Sequence, residues 1–157
     1  MNPFIVTAVI GFIILVNTVF GQKAIDEPNT VNHAGILKEL GPKNFVKGQT
    51  IYNNLCINCH GSDGKTPALP IARAFGTGEL KFGVDPYSMF QTLTKGNGLM
   101  GPQTWMTPQE RYDTIYYIRE KFMKPINPKY QALTPQYLEG LPKVNACLLY
   151  TSPSPRD

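Results

Sequence analysis

Hydrophobic and polar positions alternate along this chain in three ways, and each predicts a different kind of segment. Residues 4–20, "FIVTAVIGFIILVNTVF", form a predominantly apolar run without a charge. Two later stretches carry helical periodicity instead. In "NFVKGQTIYNNLC", Phe45, Gly48, Tyr52 and Leu55 recur at the spacing of one helix face, with Asn44 placed to cap the start. In "MTPQERYDTIYYIREKFM" the start is more explicit. Thr107 is the predicted N-cap, Pro108 the first helical residue and Glu110 the third, which is a capping box with proline where proline is favoured. Tyr112, Ile115, Tyr116, Ile118 and Phe122 then supply an apolar stripe. Arg119, Lys121 and Lys124 gather where the helix dipole favours cations, and Pro125 ends the element. A shorter helix is predicted at "DPYSMFQTL", opened by Asp85-Pro86, with Met89 as a core residue beside Phe90 and Leu93. The remaining stretches have no period. With Gly and Pro at 14 each, they read as plentiful loops. Gly48 is costly inside a helix on propensity alone. It makes sense if another helix crosses close to the backbone there.

The two ends stand apart from this pattern. The apolar run closes on Val19-Phe20-Gly21 before Gln22, as a secretory signal peptide does, and is also near the lower limit for a membrane span. Residues 1–21 are therefore expected to be a signal peptide or an N-terminal membrane anchor. Either places the rest outside the cytoplasm. At the other end "CLLYTSPSPRD", residues 147–157, resembles the translation of a transposon-end adaptor used in short-read sequencing. That resemblance predicts that Cys147 is no disulfide partner and that the natural protein continues beyond about Ala146. Between the ends, the expected division is a linker at 22–43, a domain at 44–124 and an extended, Pro-punctuated strap at 125–146. A chain of 157 residues is long enough for one modest core. The formal charge of +4 comes without Lys/Arg clusters, which sets nucleic-acid binding aside.

With Cys147 discounted, the remaining cysteines are Cys56 and Cys59, followed directly by His60 in "CINCH". One disulfide across so short a loop does little for stability. A structural zinc site wants four ligands, and a thioredoxin-like pair wants strands alternating with helices. Neither setting is present. Covalent attachment of haem c uses all three residues. On one helical turn, positions i and i+3 share a face, so both thiols can bond the two vinyl groups, and i+4 directs an imidazole at the iron. His33, in "TVNHAGILKEL", reads as a solvated residue outside the domain.

A GxxxY helix running into CxxCH, a variable middle, and then a capped aromatic helix ending in "YYIRE" resembles a small class I cytochrome c. The resemblance implies an all-α fold whose N- and C-terminal helices cross around one covalently bound haem c. Gly48 and Tyr52 would meet Tyr116 or Tyr117 at that crossing. It also implies a methionine as second axial ligand, from a loop ahead of the last helix. Met100, in the Gly-rich "KGNGLMGPQTW", is the leading candidate and Met106 the runner-up, while Met89 and Met123 read as core. The family's frequent Met-Pro is here Met100-Gly101-Pro102, a departure that leaves the loop's geometry open. A proline carbonyl commonly accepts the haem histidine's N–H in this family; Pro67 and Pro70 are in reach, and Pro70 is preferred. Trp105 and Tyr87 are candidate walls of the pocket.

The expected function is electron transfer by an extracytoplasmic mono-haem cytochrome, either as a whole protein or as a domain of a longer one. The alternative is a haem enzyme or a gas- or peroxide-reactive sensor whose sixth ligand is labile or absent. The expected partners are redox proteins, with Lys65, Lys81 and Lys95 placed to steer an acidic one. Residues 4–20 would supply any membrane anchoring.

Overall fold

Proline opens four of the six α-helices among the described residues, each time at the first helical position, where a missing N–H costs nothing. The computed structural model describes residues 31–144; the apolar run at 4–20 and the segment 147–157 lie outside the described residues. The helices are α1 (His33–Lys38), α2 (Pro42–Ile51), α3 (Ile57–His60), α4 (Pro86–Lys95), α5 (Pro108–Ile118) and α6 (Pro135–Glu139). A π turn at Tyr52–Cys56 joins α2 to α3, and a second at Arg119–Met123 extends α5. There is no strand among the described residues, and the fold is all-α, that of a class I cytochrome c. No helix among them is long and apolar enough to cross a membrane.

The main contact of the fold is α2 against α5. Gly48 is buried there, and a Cβ added to it would stand 1.9 Å from the Asp113 carbonyl oxygen and 3.0 Å from Tyr117 Cβ. The absence of a side chain is what lets the two backbones touch. Tyr117, rather than Tyr116, is the aromatic at the crossing, with its ring centroid 5.4 Å from that of Tyr52. Tyr116 sits further out against Phe45, at 6.3 Å. Tyr52, Phe75, Tyr117 and Phe122 form one aromatic cluster under the crossing. The hydroxyl of Tyr52 donates to the Gly61 carbonyl at 2.7 Å, which satisfies its polar end.

The cap of α5 forms as its sequence dictates. Thr107 Oγ1 accepts from the Glu110 N–H at 3.2 Å, and Glu110 Oε2 accepts from the Thr107 N–H at 2.7 Å. Asp85 likewise caps α4, accepting from Tyr87 and Ser88. At α2 the expectation changes. The helix begins at Pro42, so Asn44 is its third residue and not its N-cap. Its Oδ1 accepts from the Gly41 N–H at 3.1 Å while its Nδ2 donates to Asp113 Oδ1 at 2.8 Å, tying the start of α2 to α5.

Burial on α5 goes beyond a stripe. Arg111, Asp113, Thr114 and Arg119 are buried along with the apolar positions, because α2, α4 and the C-terminal segment enclose this helix. Arg119 is therefore no surface cation answering the dipole. It donates to the carbonyls of Val84 and Gln131 and lies over the Tyr130 ring at 4.8 Å.

Two segments expected outside the domain pack onto it. His33, read as solvated, is fully buried: its Nδ1 is 2.8 Å from the Tyr112 hydroxyl, and its ring meets Tyr87, Phe90 and Tyr112 edge-on. Leu37 joins the same core, so α1 belongs to the fold and not to a linker. The strap, expected to be extended, contains α6. Tyr137 OH donates to Asp85 Oδ1 at 2.7 Å and accepts from the Tyr87 N–H at 2.9 Å, and Leu141 is buried in the core.

Candidate functional site

The π turn at Tyr52–Cys56 widens the helix by one residue per turn immediately ahead of the cysteine pair, as π turns often do at functional sites. Cys56, the last residue of that turn, and Cys59 and His60 of α3 all face one cavity of about 570 Å³. Gly61, at φ +75°, then ends α3, where any side chain would meet the Thr66 carbonyl. The cavity is walled by α3, α4 and α5 and by the loops between them. Ile115 and Ile118 of α5 and Leu93 of α4 make much of it apolar.

Neither Cys56 nor Cys59 is bridged. Burial first, and then the neighbouring Cys59, push the Cys56 thiol up to about 11, so it stays uncharged in its apolar wall at neutral pH. His60 is fixed on two sides. Its ring stacks on Phe75 at 4.7 Å, and Nδ1 lies 3.1 Å from the Arg73 carbonyl oxygen. A carbonyl can only accept, so Nδ1 carries the proton and Nε2 keeps the lone pair a metal needs. The acceptor is thus Arg73 and not Pro70. Pro70 is exposed and lies outside the cavity lining, because the chain turns through residues 69–72, with Ala72 N–H bonded to Leu69 O, before it passes under His60.

Three methionines line the cavity, each held differently. Met89 is a buried residue of α4. Met106 is 4% exposed, with its N–H on the Gln103 carbonyl and its own carbonyl held by Arg111. Met100 is half-buried in the loop between α4 and α5, where it exchanges backbone hydrogen bonds with Asn97 at 2.8 and 3.2 Å. Gly96, at φ +77°, makes room for that turn: a Cβ there would lie 2.6 Å from the Met100 carbonyl oxygen. Met123 is buried in the core, away from the cavity.

Of the proposed pocket walls, Trp105 is 53% exposed and outside the lining, and Tyr87 faces His33 and Tyr137. Phe75 and Arg73 line the cavity and are not singled out by the sequence alone. Among the described residues the lining includes Arg73 and Lys81 but no carboxylate.

A helix that runs into Cys-x-x-Cys-His at an apolar cavity, and is crossed at a glycine by the last long helix, defines a mono-haem c-type cytochrome domain. Residues 43–118 match the family model described as cytochrome C oxidase, cbb3-type, subunit III. The chain carries a c-type cytochrome domain, of a family that binds haem c and transfers electrons. Comparison with curated proteins and with solved structures gave no match.

Proposed function

We propose that this chain is an extracytoplasmic cytochrome that carries single electrons between redox proteins on one covalently held haem c. The observation that carries this reading is the placement of Cys56, Cys59 and His60 on one apolar cavity with His60 Nδ1 committed to a backbone carbonyl. When bound, haem c supplies a one-electron ferrous/ferric couple, and ligation by two side chains leaves no position for substrate. Cys56 and Cys59 would hold the group through thioethers, and His60 and Met100 would supply its two side-chain ligands, with the methionine sulfur favouring the reduced state. Phe75 and the Arg73 carbonyl keep the imidazole in one orientation and one tautomer. Arg73 and Lys81, without a facing carboxylate, suit the anionic propionates of a haem. The apolar walls exclude water and so limit the reorganisation that electron transfer must overcome.

The exposed Lys65, Lys81 and Lys95 steer an acidic partner in a brief, salt-sensitive encounter. A signal or anchor at residues 4–20 delivers the domain to the compartment where haem c is attached. A second reading, a haem with a labile sixth ligand that reacts with a small gas or peroxide, draws on the half-buried position of Met100 and its Met-Gly-Pro sequence. The test is an optical spectrum of the protein made in a host that attaches haem c. Covalent low-spin haem that ignores carbon monoxide supports the carrier. High-spin haem or ready uptake of carbon monoxide supports the second reading, and absence of covalent haem overturns both.

A further inference from the structure

The loop that carries Met100 spans from the end of α4 to the N-cap of α5, and one buried side chain reaches both of its ends. Arg111 is 0% exposed. Its Nε and Nη2 donate to the Met106 carbonyl at 3.2 and 3.1 Å, and its Nη1 donates to Thr94 Oγ1 at 2.5 Å. Thr94 is in the last turn of α4, and Met106 directly precedes the Thr107 cap. The guanidinium lies over the Phe90 ring at 4.7 Å, which fixes its plane. Between these anchors the loop is held by the paired backbone bonds of Asn97 and Met100 and by the Gln103 N–H on the Leu93 carbonyl at 2.7 Å. A planar, forked donor can bind two acceptors on different elements at once; an ammonium on a flexible stem cannot reproduce that geometry.

We propose that Arg111 is a positioning residue that sets the span of the methionine loop and thereby keeps Met100 coordinated. This rests on Met100 being the second axial ligand. Without the clamp the two ends of the loop are joined less firmly, through the backbone bonds of Gln103 to Leu93 and Met106, and a competing ligand displaces Met100 more easily. Gln103 and the Asn97–Met100 pair still close the loop locally, so loosening raises exchange of the ligand without unfolding the domain.

The test is titration of the ferric holoprotein with imidazole, run beside denaturant unfolding, for wild type, Arg111→Lys, Thr94→Val and Leu141→Ala. Leu141 is buried in the C-terminal segment, so its truncation destabilises the fold away from the loop. Arg111→Lys and Thr94→Val should each bind imidazole about tenfold more tightly than wild type, the scale of one charge-assisted hydrogen bond. Leu141→Ala should bind it as wild type does. Unchanged affinity in both loop variants, or an equal rise in Leu141→Ala, overturns the proposal. If Arg111→Lys yields no haem-bound protein, Thr94→Val decides alone. If the wild type lacks the ferric Met–iron band, the ligand assignment fails separately. Amide exchange across residues 96–106 then judges the clamp: faster exchange in the loop variants than in Leu141→Ala keeps it, and equal exchange removes it.

Discussion

Gly48 lies directly against the carbonyl of Asp113, so close that a methyl group in place of its hydrogen would stand 1.9 Å from the oxygen. The obstacle is backbone inside a capped helix, not the end of a side chain that can swing away. Gly48→Ala should therefore destabilise the holoprotein by about 1–3 kcal/mol, the usual cost of overpacking, despite alanine's better helix propensity. Gly41→Ala is the control, since nothing lies within 4 Å of a Cβ there. Its effect on denaturant unfolding should stay within about 0.5 kcal/mol.

The contact between His33 and Tyr112 joins residues that are 79 apart in sequence and attaches α1 to the last long helix. Tyr112→Phe removes the hydroxyl 2.8 Å from His33 Nδ1 and leaves that nitrogen buried. A loss of about 1–3 kcal/mol is expected from deleting one hydrogen bond in a buried setting. The haem spectrum should not change. Unaltered stability would mean that this hydrogen bond contributes nothing net to the fold.

Asp85 makes the stability of the domain depend on acid. Burial alone would raise its carboxyl, but the hydrogen bonds from Ser88 and from the Tyr137 hydroxyl outweigh burial and hold it below the usual carboxylate range. A depressed folded value means the contribution is complete above the unfolded pKa and is lost as pH falls through the folded one. Asp85→Asn should lose less stability than wild type between about pH 5 and pH 2. Unfolding curves across that range, compared for the two proteins, check the sign.

What could be read in advance follows from how local each signal is. The capping box of α5, the prolines that open α4 and α5, and Cys56-Ile57-Asn58-Cys59-His60 are written in consecutive residues, and all three are legible in the chain. The crossing at Gly48 is legible as a cost without local benefit. Arg111 and Arg119 are not, because a cation in a helix reads as solvated until the elements enclosing it are known. His33 is hidden for the same reason: its cage comes from Tyr87, Phe90 and Tyr112. The acceptor for His60 is a main-chain carbonyl, which any residue could supply, so a proline preference could not find Arg73. The short helices α1 and α6, of six and five residues, owe their stability to docking and carry little propensity signal.

Met100, and not Met106, is proposed to join His60 in holding the iron. Both methionines line the cavity and both are hydrogen-bonded at N–H and carbonyl, but Met106 is anchored beside the Thr107 cap by the buried Arg111, whereas the partner of Met100 is Asn97 within the same glycine-flanked loop. The most direct measurement is the ferric optical spectrum of the holoprotein beside Met100→Ala and Met106→Ala. The account predicts a Met–iron band in wild type and in Met106→Ala, and its loss in Met100→Ala alone. Loss of the band in Met106→Ala with retention in Met100→Ala would contradict it.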